Sequence, residues 1–289
     1  MISSQKTGRQ TLSSTWSSGR HLFLIARGHA MSAATDQSTT TNSFDQAEQD
    51  AVYRAIFTRR DVRSHFLADP VDDQVLAGLL LAAHHAPSVG YMQPWNFIVI
   101  RDMARREKVR DLFLDARQVE AKNMEGDRQA LYRSLKLEGI CETPLNIVVT
   151  CDRSRAKNSP LGRWHNPEMD LFSTVCAVQN FWLAARAEGI GVGWVSIFDG
   201  EALKHLLDIP AHVVPVAYLC VGHVSEFAPK PDLEVHGWGS RLSLADLIMS
   251  EKFAGTGEEE LKDVVRKVKR TATQEPATLF VSGDVPDME

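Results

Sequence analysis

The sequence predicts an α+β sandwich, with one central mixed sheet flanked by helices, between about Phe44 and Phe253. Three observations lead there. Segments with apolar residues at helical spacing are interleaved with short β-branched runs, the two periodicities that separate helices from strands. Strict strand–helix–strand alternation is too sparse for a doubly wound sheet. One long segment, Pro167 to Glu188, is apolar around nearly its whole circumference. Such a helix sits in the centre of a core or in a subunit interface, and a domain of this size has use for both.

The elements follow in order. Asp45–Thr58 reads as an amphipathic helix with Val52, Ala55 and Ile56 on one face, running into Arg59-Arg60-Asp61-Val62-Arg63. Val71–His85 is a second helix, with Val75, Leu76, Leu79 and Leu80 at helical spacing and Ala86-Pro87-Ser88 as its stop. Phe97–Ile100 is a short strand, and Arg105–Gly139 is mostly helical and strongly charged. Leu145–Cys151 is a β-branched strand with both faces buried. The long helix has Asn166 as cap, Pro167 in its first turn, Glu168 and Asp170 at its positive end, and Gly189 as its stop. Trp194–Phe198 and Val213–Val224 are further strands, separated by a short helix at Glu201–Leu207.

The ends differ from this pattern. The first 35 residues hold no Asp or Glu, several basic residues and many serines. Such a segment buries too little apolar surface to fold, so residues 1–44 are expected to be a disordered or mis-started extension, with Met31 as the alternative start. Its composition also permits a transit peptide, but the run His21–Ala26 is too short for a signal-peptide core or a membrane span. Residues 45–253 form the expected domain. Residues 254–289 form a charged tail with a short helix near Glu258–Arg270.

Bulk properties narrow the function. The 289 residues are 44% hydrophobic and 24% charged, an ordinary globular balance. A net charge of −5 leaves no footprint for nucleic acid, so any phosphate binding is local. The four cysteines stand singly, against a zinc site or disulfide scaffold and in keeping with a reducing cytoplasm. No histidine spacing suits a metal. No Gly-x-Ser-x-Gly surrounds Ser88, Ser173 or Ser196, which argues against a hydrolase.

Three stretches carry chemistry. Arg59, Arg60 and Arg63 offer planar donor forks that match phosphate oxygens, although basic residues also suit any helix C-terminus. Ala86–Trp95 combines Pro87, Gly90, the Ser88 hydroxyl and the Gln93 amide ahead of a strand, against the plainer reading of a connecting loop with Trp95 in the core. Gly189-x-Gly191-x-Gly193 follows a helix and opens a strand, the reverse of a dinucleotide fingerprint. It suits backbone approaching the edge of a flat ring, with Gly193 at the approach and Ser196 at its end. Ser196 could equally be a strand hydroxyl satisfied by backbone. Phosphate donors, a small-residue turn and a glycine-rich edge are what flavin mononucleotide (FMN) needs. Asp61 is the odd member, since a carboxylate among phosphate-binding arginines does not help to bind an anion.

These stretches resemble the nitroreductase-like flavoprotein superfamily and, within it, the aerobic 5,6-dimethylbenzimidazole synthases of cobalamin biosynthesis. The resemblance covers roughly Ala51 to Leu247. It rests on Arg59–Arg63, Ala86–Trp95, Tyr132–Gly139, Asn166–Asp170 with Ser173–Asn180, and Gly191–Phe198. General nitroreductases usually carry serine where Asp61 stands. The resemblance implies a homodimer with FMN at the subunit interface and the long helix central to it. It places Arg59, Arg60, Asp61, Val62, Arg63, Pro87, Ser88, Gln93, Gly193, Ser196 and Arg241 around the flavin. It also implies that reduced FMN is the substrate. Dioxygen is the co-substrate, no metal takes part, and a separate flavin reductase supplies the reduced flavin. The products are 5,6-dimethylbenzimidazole and erythrose 4-phosphate. Asp61 would then be the general acid/base near the first ribityl carbon, kept ionised by the arginines. Ser196 would hydrogen-bond near the ring centre that reacts with oxygen. Asp115–Gly139 is the expected lid. Rival readings are an NAD(P)H-dependent nitro- or flavin reductase, a reductive dehalogenase, and a non-catalytic FMN-binding protein.

Overall fold

The computed structural model describes residues 43–155 and 161–272. The expected N-terminal extension up to residue 42 and the last part of the tail, from residue 273, lie outside the described residues. The elements below belong to the unit that begins at Phe44.

Four strands make one sheet in the order β1-β2-β4-β3: β1 (Trp95–Ile100), β2 (Leu145–Asp152), β3 (Ile190–Val195) and β4 (Val213–His223). All three pairings are antiparallel. Among the described residues, parallel character enters only through an isolated bridge between Asp61 and Val192 on the outer edge of β3. Eight helices are described: α1 (Gln46–Thr58), α2 (Asp73–His84), α3 (Met103–Lys122), α4 (Gly126–Ser134), α5 (Met169–Ala187), α6 (Gly200–Leu206), α7 (Asp232–Val235) and α8 (Glu259–Ala272). Among the described residues no helix is long and apolar enough to cross a membrane.

Alternation along β2 builds the sandwich. Ile147 and Val149 face a layer of α2 and α5, where Leu76, Leu79, Val178 and Phe181 pack. Val148 faces the other way, toward Val109 and Phe113 of α3 and Leu203 of α6. All three β2 residues are fully buried, as a strand covered on both faces requires.

Local signals set most boundaries. Asp45 caps α1 through a reciprocal capping box with Glu48. Asp72 caps α2. The long helix starts later than its sequence suggests. Asn166 instead closes the turn before it, its side chain accepting from the Glu168 amide at 3.3 Å, and α5 proper begins at Met169. Gly189, at φ +74°, ends it as expected. The larger difference is β3, which begins at Ile190 and ends before Ser196. Gly191 and Gly193 therefore lie inside the strand, for a reason that the site explains.

Candidate active site

Past Arg59, which has left helical geometry at ψ 137°, the chain runs extended along the free edge of β3. The Val62 amide donates to the Val192 carbonyl at 3.0 Å. A side chain at Gly193 would overlap the Val62 carbonyl oxygen, and one at Gly191 would overlap Val224. Glycine is thus required so that the arginine-rich segment can lie against the strand. Gly193 therefore admits its own chain at this edge. Its neighbours Val192 and Trp194 turn their polar groups outward to the segment, so alternation turns those of Gly193 inward to Cys220 of β4.

The segment gathers guanidinium groups. Arg59 lies over the Trp182 ring at 4.7 Å. Arg60 donates from Nε to the Ala228 carbonyl at 2.8 Å and also to the Pro229 carbonyl, which fixes the loop that leads toward Arg241. Burial and then the like charges of Arg59, Arg241 and Arg186 pull the Arg60 pKa down, with only Glu234 opposing them. The side chain of Arg63 is largely buried, and its Nε finds no partner among the described residues. A cluster of like charges with an orphaned buried donor favours an anion. Arg241 is exposed beside this cluster.

Asp61 sits at its centre. Its Oδ1 accepts from the Trp194 amide at 2.9 Å and its Oδ2 from Arg63 at 2.6 Å. The side chain keeps 31% of its surface open on one side. Protein encloses the rest, and this burial is the largest influence, pushing the pKa up. Arg63, the Trp194 amide and Arg59 pull it down without cancelling that effect. The arginines thus act against burial at this carboxyl. Ser196 lies exposed just past the end of β3, two residues beyond the amide that holds Asp61.

The second stretch forms a strained turn. Gly90, Tyr91 and Gln93 all have positive φ, at 60°, 52° and 45°, a region that non-glycine residues enter only when neighbours hold them there. The Ser88 hydroxyl accepts from the Gln93 amide at 3.0 Å, Ser173 accepts from the Val89 amide at 3.2 Å, and Arg155 donates to the Gln93 carbonyl at 2.7 Å. Pro87 is exposed. Gln93 borders a cleft of about 520 Å³ that also touches His84, Trp95, Asn96 and Arg155.

One protomer does not bring the two stretches together. The turn feeds β1 at one edge of the sheet, whereas Asp61 lies on β3 at the other. On α5, Ser173 meets the turn and Trp182 donates to the Arg60 carbonyl. These residues are about 14 Å apart along the axis and about half a turn out of phase, so they face opposite sides. Sequence reasoning missed Trp182, Trp194 and Arg186, which lie beside the arginines. The signal for Arg186 was its position four residues after Trp182, on the same helix face.

Fold and sequence agree on the class. The nitroreductase family model matches residues 56–223, and the chain belongs to that family. It is 43% identical over 198 residues to the 5,6-dimethylbenzimidazole synthase of Rhodospirillum rubrum, covering 68% of this chain and 93% of that relative. Among solved structures it is similar to an iodotyrosine deiodinase bound to FMN and 3-iodo-L-tyrosine, at a TM-score of 0.56 and 19% identity, covering 70% of this chain and all of that one. A BluB-like flavoprotein from Clostridium difficile 630 superposes with a TM-score of 0.54 at 20% identity, covering 70% of this chain and 99% of that one.

Proposed function

We propose that the protein makes 5,6-dimethylbenzimidazole, the lower ligand of vitamin B12, by oxygen-dependent fragmentation of reduced FMN, releasing erythrose 4-phosphate. The observation that carries this reading is Asp61, a carboxyl of raised pKa held among phosphate-type donors. An FMN-binding protein that only stores flavin has no use for it. The 43% identity to a synthase supports the same reading.

The residues fit FMN. The orphaned Arg63 Nε and the repulsion around Arg60 suit a phosphate dianion. Arg59, Arg60, Arg63 and Arg241 would hold that group, with Val62 and Ser196 along the same edge. Pro87, Ser88 and Gln93 would reach the flavin from a second copy, since a single protomer keeps them on the far side of α5. A homodimer would also cover apolar surface left open on α1 (Val52, Ile56, Phe57) and α5 (Phe172, Val175). Gly193 contributes indirectly, by admitting Val62 and Asp61 to the edge of β3.

When bound, reduced FMN supplies the electrons for dioxygen and the carbon skeleton of the product; a separate flavin reductase supplies the reduced form. Asp61 would serve as the general acid/base near the first ribityl carbon. Burial raises its basicity for that step, and the Trp194 amide fixes the carboxyl in place. The Ser196 hydroxyl would hydrogen-bond near the ring centre that meets oxygen. The segment Asp115–Gly139 would exclude water, its turn fastened by Arg117, which donates to the carbonyls of Arg133 and Leu135 at 2.9 and 2.7 Å.

Asp61→Asn tests the assignment. The variant is expected to bind FMN within a few-fold of wild type and to yield no 5,6-dimethylbenzimidazole by mass spectrometry. A normal yield would remove Asp61 from the chemistry.

A further inference from the structure

We infer that Trp182 is the positioning residue that sets the grip of this site on a phosphate group. Its side chain is 93% buried on α5, with 7% exposed, and bulk alone would suit it to the core. Its contacts do more than fill space. The indole N–H donates to the Arg60 carbonyl at 3.2 Å. The ring face carries the Arg59 guanidinium at 4.7 Å. The same ring meets Trp194, with ring centroids 6.2 Å apart, and the Trp194 amide holds Asp61. One side chain therefore fixes two successive arginines and packs against the residue that holds the carboxylate.

The chemistry of the Arg59 contact matters most. A carboxylate partner would orient the guanidinium but would consume its in-plane donors. An aromatic face orients it by its charge and flat shape and leaves every in-plane N–H unspent. Among the described residues Arg59 has no ion pair and no side-chain hydrogen bond; its one side-chain contact of note is the indole. Arg59 is thus held in one place with its donors available, which is the state an anion-binding fork needs. The Arg60 carbonyl, tethered by the same indole, sets the direction in which the chain turns toward Asp61. This inference rests on the reading that the arginines bind the FMN phosphate.

The test uses riboflavin, which is FMN without its phosphate. Dissociation constants of the full-length protein for oxidised FMN and riboflavin are measured by flavin fluorescence, and their ratio reports the phosphate grip alone. Trp182→Leu removes the ring. Arg59→Lys keeps the charge and removes the planar group that stacks, without disturbing the core. Each is expected to lower the preference for FMN over riboflavin by about tenfold, the size of a well-desolvated cation–π contact, while riboflavin affinity stays near wild type. Thermal melting identifies folded variants; if Trp182→Leu does not fold, Trp182→Met, whose flexible chain fills irregular gaps, replaces it, because Arg59→Lys also alters a phosphate donor. Retention of the wild-type ratio by either folded variant would overturn the inference. A wild-type protein that binds both flavins equally would instead overturn the phosphate reading beneath it.

Discussion

Asp61 is caught between burial, which favours its neutral form, and two hydrogen bonds, which favour its anion. Because the net direction is upward, the folded protein keeps a proton that the unfolded chain has already released. Stability contributed at this site therefore falls as pH rises from the ordinary carboxylate range through the raised value. The difference in unfolding free energy between wild type and Asp61→Asn should decline with pH above about 4, as measured by urea denaturation at a series of pH values; a flat difference would contradict the assigned direction. Gly193 makes a separate prediction. Gly193→Ala places a methyl group in the Val62 carbonyl, so it should cost about 3 kcal/mol or more and loosen Asp61 with it; a melting temperature equal to wild type would show that the edge segment moves freely. The sequence made Asp61 legible because a carboxylate among arginines needs a reason. Gly193 was legible as a close-approach glycine but not in what it admits, because glycine has two uses, close approach to a ligand and close approach to its own chain. Only contact with Val62, far away in sequence, tells them apart. Trp182 was hidden for a similar reason, since an apolar helix residue looks like core until its N–H finds a partner.

At the scale of elements, α5 is the organising part. Its first turn is anchored by Asp170, 1% exposed, which meets Arg153 at 3.1 Å and Arg163 at 2.6 Å. Breaking a buried ion pair leaves an uncompensated charge, so Asp170→Ala should cost about 3–5 kcal/mol, measured by chemical denaturation; a loss under about 1 kcal/mol would mean that solvent screens the pair. The capping box on α1 is worth less. Asp45→Ala should cost about 1 kcal/mol, since α1 buries no residue of its own in the single protomer. Helix boundaries were legible because caps and stops are local: α1, α2 and α6 fall within about two residues of expectation. The start of β3 was expected at Trp194, because glycine has low strand propensity, while tertiary packing carries Gly191 and Gly193 into the strand.

For the whole molecule, the two sequence stretches that point to FMN lie on opposite sides of α5. Under the proposed function, that geometry would make the site a property of two copies. Mixing protomers that carry Asp61→Asn with protomers that carry Ser88→Trp, each inactive alone, should restore about a quarter of wild-type activity, because half of randomly formed two-fold dimers regain one intact site. No recovery after exchange would mean that each protomer builds its own site. The α+β sandwich itself was legible from periodicity. The proposed homodimer rests in the sequence only on the all-round apolar helix and on resemblance, because no local signal states which apolar face meets another chain.

The most direct measurement is a single incubation of the purified protein with chemically reduced FMN in air, analysed by mass spectrometry. The expected result is 5,6-dimethylbenzimidazole with a matching loss of FMN. Quantitative recovery of intact oxidised FMN would contradict the proposed function and point to a flavin that survives turnover, as a reductase requires.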